Sequence, residues 1–239
     1  MATKTIIYQD KDTSLEGYLA YDDTLNNKRP AVLVAHDWSG RNAFACEKAD
    51  QLAQLGYIGF ALDMYGNAKL GHTNEEKSAL IQPFVQDRAL LRQRITAAFT
   101  AVKELPIVDE SHIAIIGFCF GGLCALDLAR SGAMVQGVVS FHGLLHAPSQ
   151  LKTEPIKSKI LVLHGYDDPM VPPEQVNTFA AEMTTAEVDW QIHMYGNTMH
   201  GFTNPMANDK NFGAVYDATA EKRSWQAMKN FLVEVLLCQ

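Results

Sequence analysis

Three runs of the chain are apolar with almost no interruption: "AVLVA" at 31–35, "IAII" at 113–116 and "ILVL" at 160–163. A strand with one face in water alternates apolar and polar residues. Continuous apolar runs need cover on both faces, as the central strands of a parallel sheet have. Further β-branched or apolar runs read as strands at "TIIYQD", "LEGYLAY", "YIGFALDM", "GVVSFHG" and "VDWQIHMY". From Pro30 onward the strands alternate with helix-like segments at about Ala43–Leu55, Glu75–Leu105, Gly121–Ser131, Pro173–Met183 and Val215–Leu237. That order implies an α/β fold, a mostly parallel sheet of about eight strands with helices on both faces. The first two strands are expected to form an antiparallel hairpin at one edge. With no linker rich in Pro, Gly or Ser and no repeat, residues 1–239 are expected to form one domain. The least regular stretch, Gly66 to Phe84, follows a strand end and is a candidate lid or pocket wall.

Charge narrows the partners. An excess of 27 Asp and Glu over 20 Lys and Arg gives a net charge of -7, with no electrostatic footprint for nucleic acid or an anionic membrane. A small-molecule partner is expected, acting on a monomer or homodimer. The beginning of the chain lacks a basic segment followed by an apolar one, and no run approaches the roughly 18 apolar residues that span a bilayer, so a cytoplasmic, unanchored protein is expected. Cys46, Cys119, Cys124 and Cys238 form no CxxC pair and read as free thiols. There is no HExxH and no paired-His spacing either, so neither a metal nor a cofactor is expected.

In a doubly wound sheet, ligands bind beyond the carboxyl ends of the strands. His36, Asp37 and Trp38 follow "PAVLVA", Cys119 follows "IAIIGF", Asp167 and Asp168 follow "ILVLHG", and His200 lies in a loop after "WQIHMY". The Gly-x-Cys-x-Gly-Gly at 117–122 has the spacing of a nucleophile elbow, in which glycines let the turn close and the helix start hard against the strand. The turn projects Cys119 into the pocket, beside the positive end of a helix, where a thiolate is favoured. Cys124 reads as packing. A nucleophile needs a base and the base an orienting acid; Asp168 and His200 supply them in the chain order usual for this fold. Asp167 is expected to be solvated or turn-forming. His193, inside a strand-like run, reads as structural, and so do His142, His164, His112 and His72, none of which is expected in a post-strand position with a partner.

The cysteine elbow, "GYDDPMVP", "MHGF", "LDMYG" and "HDWSGRNAF" together resemble the dienelactone hydrolase family of α/β-hydrolases over nearly the whole chain. The resemblance implies a triad of Cys119, Asp168 and His200, with an oxyanion hole made by the backbone N–H groups of Phe120 and Trp38. The Trp38 indole is free to line the substrate pocket. The family's Glu after the third strand is replaced by Asp37, which reaches less far by about one C–C bond, roughly 1.5 Å, and is still expected to influence Cys119.

The family's two arginines, which clamp a substrate carboxylate, are missing. Asn204 stands four residues after His200, and Glu75, Glu76 and Lys77 occupy the other region. A bidentate clamp is not something Asn or Glu replaces. The expected function is therefore a cofactor-free hydrolase of uncharged activated esters or lactones, with phosphotriester hydrolysis as a promiscuous second activity. The alternatives are a carboxymethylenebutenolidase proper, or a thiol-based redox or ligand sensor on the same fold.

Overall fold

The computed structural model describes residues 1–25 and 27–237. Strands β1 (Ala2–Asp10) and β2 (Thr13–Tyr21) form the expected antiparallel hairpin at the sheet edge. Strands β3 (Arg29–Ala35), β4 (Ile58–Ala61), β5 (Val108–Phe118), β6 (Gly137–Phe141), β7 (Lys159–Gly165) and β8 (Trp190–Tyr195) run parallel to one another. The sheet has eight strands in the order β1-β2-β4-β3-β5-β6-β7-β8. From β3 the chain first builds outward to β4 and then returns to β5 on the other side. That reversal opens a crevice at the carboxyl ends of β3 and β5.

The apolar runs are covered on both faces, as their composition requires. Leu33, Ile113 and Ile115 pack with Leu91 and Ile95 of α3 (Arg88–Lys103) and Leu123 of α4 (Phe120–Arg130). Their sequence neighbours Val32, Val34 and Ile116 pack on the opposite face, with Leu52 of α1 (Ala43–Gln54) and Phe231 and Leu232 of α6 (Ala218–Leu237). Helix α5 (Pro173–Thr185) adds Phe179 and Met183 to the first core. No helix among the described residues is long and apolar enough to cross a membrane.

Three expectations are corrected. The single helix expected over Glu75–Leu105 is two, α2 (Asn74–Gln86) and α3, broken at Asp87. Asp87 leaves helical geometry, closes α2 through its N–H to the Pro83 carbonyl, and caps α3 by accepting from the N–H groups of Ala89 and Leu90. The stretch Gly66 to Phe84 is more regular than its composition suggests, because a capping box between Thr73 and Glu76 starts α2 inside it. Its beginning is held by the buried Asp63, whose carboxylate accepts from the N–H groups of Glu16, Tyr65, Gly66 and Ala68. Finally, α6 begins at Ala218, since Val215 pairs with Asn208 in a two-stranded ribbon of β9 (Asn208–Asp209) and β10 (Ala214–Val215). Cys46, Cys119 and Cys124 are free thiols; Cys238 lies outside the described residues.

The helix that follows the cysteine is tied down by charge. Asp127 of α4 is fully buried and receives a bidentate pair from Arg88 at 2.6 and 2.7 Å, with Arg130 at 3.4 Å. Arg130 continues to Glu182 of α5 at 2.7 and 2.8 Å. Removing one member of such a group strands the others without compensation. Asp127→Ala is therefore expected to lower the unfolding free energy by about 3–5 kcal/mol, read as a shift of the urea midpoint.

Candidate active site

The turn between β5 and α4 holds Cys119 at φ 54° and ψ -115°, a conformation that a side chain with a Cβ rarely adopts. The Cys119 N–H donates to the Phe141 carbonyl at 3.0 Å, which fixes the turn to the next strand. Glycine is required two residues on. A Cβ at Gly121 would collide with the carbonyls of Ala35 and His36, so its absence lets α4 start directly against the end of β3.

That approach sets Phe120 and Trp38 in the wall of one cavity. The Phe120 N–H is the first of α4 and has no acceptor in its own helix. The Trp38 N–H lies in the loop after β3, and neither group has an acceptor among the described residues. The peptide that carries the Trp38 N–H is gripped from its other side, where its carbonyl, that of Asp37, meets His36 Nδ1 at 2.6 Å. His36 Nε2 accepts from the Met64 N–H at 3.2 Å, which leaves Nδ1 as the donor. Burial lowers the His36 pKa and keeps this ring neutral. Tyr65 donates its hydroxyl to the Trp38 carbonyl at 2.9 Å, so both ends of the residue are fixed. His36 and Tyr65 stand within the quoted "HDWSGRNAF" and "LDMYG", and their role in fixing Trp38 follows from these contacts.

Asp168 and His200 meet across separate loops. Asp168 Oδ2 accepts from His200 Nδ1 at 2.8 Å, and Oδ1 accepts from the Met170 N–H at 2.9 Å; both residues are buried. Burial opposes charge on His200, but Cys119 and then Asp168 outweigh it and push the imidazole pKa up to about 10. By geometry Nε2 is buried without a hydrogen-bond partner among the described residues, while Cys119 lies in the same cavity and favours charge on the ring. Such contacts are often loose until substrate is bound. The His200 backbone is itself paired with the ribbon, donating to the Gly213 carbonyl at 3.0 Å and accepting from the Val215 N–H at 2.9 Å.

Cys119, Phe120 and His200 line one cavity of about 480 Å³, together with Asp37, Trp38, Asn204 and residues of α2. Trp38 stacks on Phe212 of the ribbon turn, 5.4 Å between centroids, and Lys77 of α2 lies over the indole at 5.3 Å. Asp37 Oδ1 accepts from the Ser39 N–H at 2.8 Å, and no hydrogen bond joins it to Cys119 among the described residues. Asn204 is at the cavity wall, its Oδ1 accepting from the Met206 N–H.

The competitors separate as follows. Asp167 is exposed, as expected, and so is His193 on the edge strand β8. Cys124 is buried in α4 with its thiol pKa raised by burial, which fits packing. His142 overturns its expectation: it directly follows β6, lines the cavity and has a partner, Thr203 Oγ1, at 2.8 Å from Nε2. Lys77, placed only loosely by the sequence, also reaches this cavity.

Comparison with known proteins agrees with this architecture. The model of the dienelactone hydrolase family matches residues 15–236. A solved dienelactone hydrolase-like promiscuous phosphotriesterase from metagenomic libraries is 40% identical, covers 98% of each chain and superimposes with a TM-score of 0.92. An uncharacterized protein of Caenorhabditis elegans is 40% identical over 149 residues, 60% of this chain and 93% of its own. A probable 2-oxo-3-(5-oxofuran-2-ylidene)propanoate lactonase of Bradyrhizobium is 26% identical over 94% of this chain and 93% of its own. With the family model spanning the sheet from β2 to α6, this chain belongs to the dienelactone hydrolase family and is an α/β-hydrolase acting on ester bonds.

Proposed function

We propose that the enzyme hydrolyses uncharged activated esters and lactones through a covalent intermediate on Cys119, without a cofactor. The observation that carries this reading is the position of His200, held by Asp168 at 2.8 Å on one side and drawn to the Cys119 sulfur on the other. The sulfur attacks the carbonyl carbon, and the negative charge that develops on oxygen is taken by the N–H groups of Phe120 and Trp38. His200 gives its proton to the leaving oxygen, and Asp168 keeps the ring in the right tautomer. Water then releases the acid.

Substrate charge is argued from the cavity wall. Asn204 and Lys77 offer no guanidinium fork, and the Lys77 ammonium is engaged with the Trp38 face. Asp37 and Asp209 add negative charge to the same cavity, which disfavours a carboxylated substrate. A neutral phosphotriester meets the same requirement, and the similar metagenomic structure is described as a promiscuous phosphotriesterase. We assign that as a second activity of the same residues. Asp37, close to the elbow in the same cavity, is assigned an influence on Cys119 ionisation.

A panel of p-nitrophenyl esters, a lactone, a carboxylated dienelactone and a neutral phosphotriester, assayed with wild type and Cys119→Ala, tests the reading. Neutral substrates should turn over at least about 100-fold faster than the carboxylated one, and Cys119→Ala should lose about 1,000-fold or more on all of them. Turnover that survives in Cys119→Ala sinks the nucleophile. For Asp37→Asn, the pH profile of Cys119 alkylation by iodoacetamide should depart from wild type; superimposable profiles contradict the assignment.

The His200 imidazole, followed by NMR, should stay protonated at pH 8 and release its proton near pH 10. In Cys119→Ala, where burial is no longer outweighed by the sulfur, it should titrate well below that. Because the folded value lies above the ordinary 6.5, this group's stabilisation is complete below about pH 6.5 and is lost as pH rises through about 10.

A further inference from the structure

His142 is 2% exposed and lines the cavity that holds Cys119 and His200. Its backbone sits at φ 38°, a strained value for a residue with a Cβ, and its N–H is fixed to the Leu163 carbonyl at 2.8 Å. The ring meets His200 edge-on, 5.2 Å between centroids at 65°, and packs against Phe202. Thr203 occupies Nε2, leaving Nδ1 buried without a hydrogen-bond partner among the described residues. His200 Nε2 is in the same condition. Two adjacent imidazoles thus each have one buried nitrogen without a hydrogen-bond partner among the described residues, a costly condition, and that of His200 is the one turned to Cys119.

We propose that His142 is a catalytic residue for the second half of the reaction, its Nδ1 holding, together with His200 Nε2, the water that hydrolyses the acyl-enzyme. The inference rests on the Cys119 intermediate described above. With Nε2–H donating to Thr203 Oγ1, Nδ1 carries a lone pair and accepts one O–H of the water. The other O–H faces His200, neutral once it has protonated the leaving group. The water oxygen forms a bond to the acyl carbon as His200 Nε2 takes its proton. The C–S bond then breaks with its electron pair going to Cys119, which restores thiolate and imidazolium and releases the carboxylic acid. Burial, and next the charge of His200, hold His142 well below the ordinary histidine pKa, so it stays an acceptor throughout.

Acetylation by p-nitrophenyl acetate separates the two halves: nitrophenol release reports acylation, and intact mass reports the Cys119 adduct and its decay. His142→Phe removes the acceptor. His142→Asn keeps an acceptor, Oδ1, on a residue tolerant of positive φ, and Thr203→Val frees the tautomer without touching the strained position. His142→Phe should acylate within about threefold of wild type while the adduct decays at least about tenfold more slowly and accumulates, and His142→Asn should recover part of the decay rate. Thr203→Val should slow decay to a smaller extent. Decay at the wild-type rate, or equal slowing of both halves, overturns the role of His142. Nitrophenol release by Cys119→Ala at the wild-type rate, with no adduct in any form, overturns the nucleophile itself and the inference with it.

Discussion

The site depends on how closely α4 is allowed to approach β3. Gly121 lies beneath the carbonyls of Ala35 and His36 with no room for a Cβ, so the first turn of α4 abuts the loop that carries Trp38. Any larger residue would push the helix outward and separate the Phe120 and Trp38 N–H groups from one another. The same turn forces Cys119 into a conformation that costs on the order of 1–3 kcal/mol. The helix it starts is buried along its whole length, and Asp127 anchors it to Arg88 and Arg130. Strain at the elbow is thus offset by packing and by a buried ion network about two to three turns further along the same helix.

Buried carboxylates do the positioning elsewhere. Asp63 gathers four N–H groups and sets the course of the loop after β4, and Asp168 divides its oxygens between a backbone N–H and His200. In each case a charge withdrawn from water is matched by donors fixed by the chain, which makes its position stiff. His200 differs, since only one of its nitrogens is matched. Within this pair Asp168 is satisfied at both oxygens, and the open hydrogen-bonding capacity is at His200 Nε2.

Much of this was legible in the residues. The uninterrupted runs at 31–35, 113–116 and 160–163 announced a sheet covered on both faces, and the glycines around Cys119 announced a sharp turn between a strand and a helix. Asp168 and His200 were legible because chain order and strand ends restrict where an acid and a base can stand. The break at Asp87 was missed because the periodicity of α2 and α3 runs on across a single capping residue. The ribbon of β9 and β10 was missed because two-residue strands leave no pattern. His142 was discounted because a histidine between an apolar strand and a glycine carries no local mark of a partner 61 residues away.

The ribbon ties two properties that are usually adjustable separately. Phe212 at its turn is part of the wall that a substrate touches, while Gly213 and Val215 hold the His200 backbone. Changes at 208–215 that reshape the pocket therefore also shift the backbone of His200. The wall contributed by α2, through Asn74, Ser78 and Ile81, makes no hydrogen bond to the His200 backbone, although Lys77 of the same helix rests on the Trp38 indole. Substitutions at those three positions can therefore reshape the pocket while leaving the His200 backbone in place.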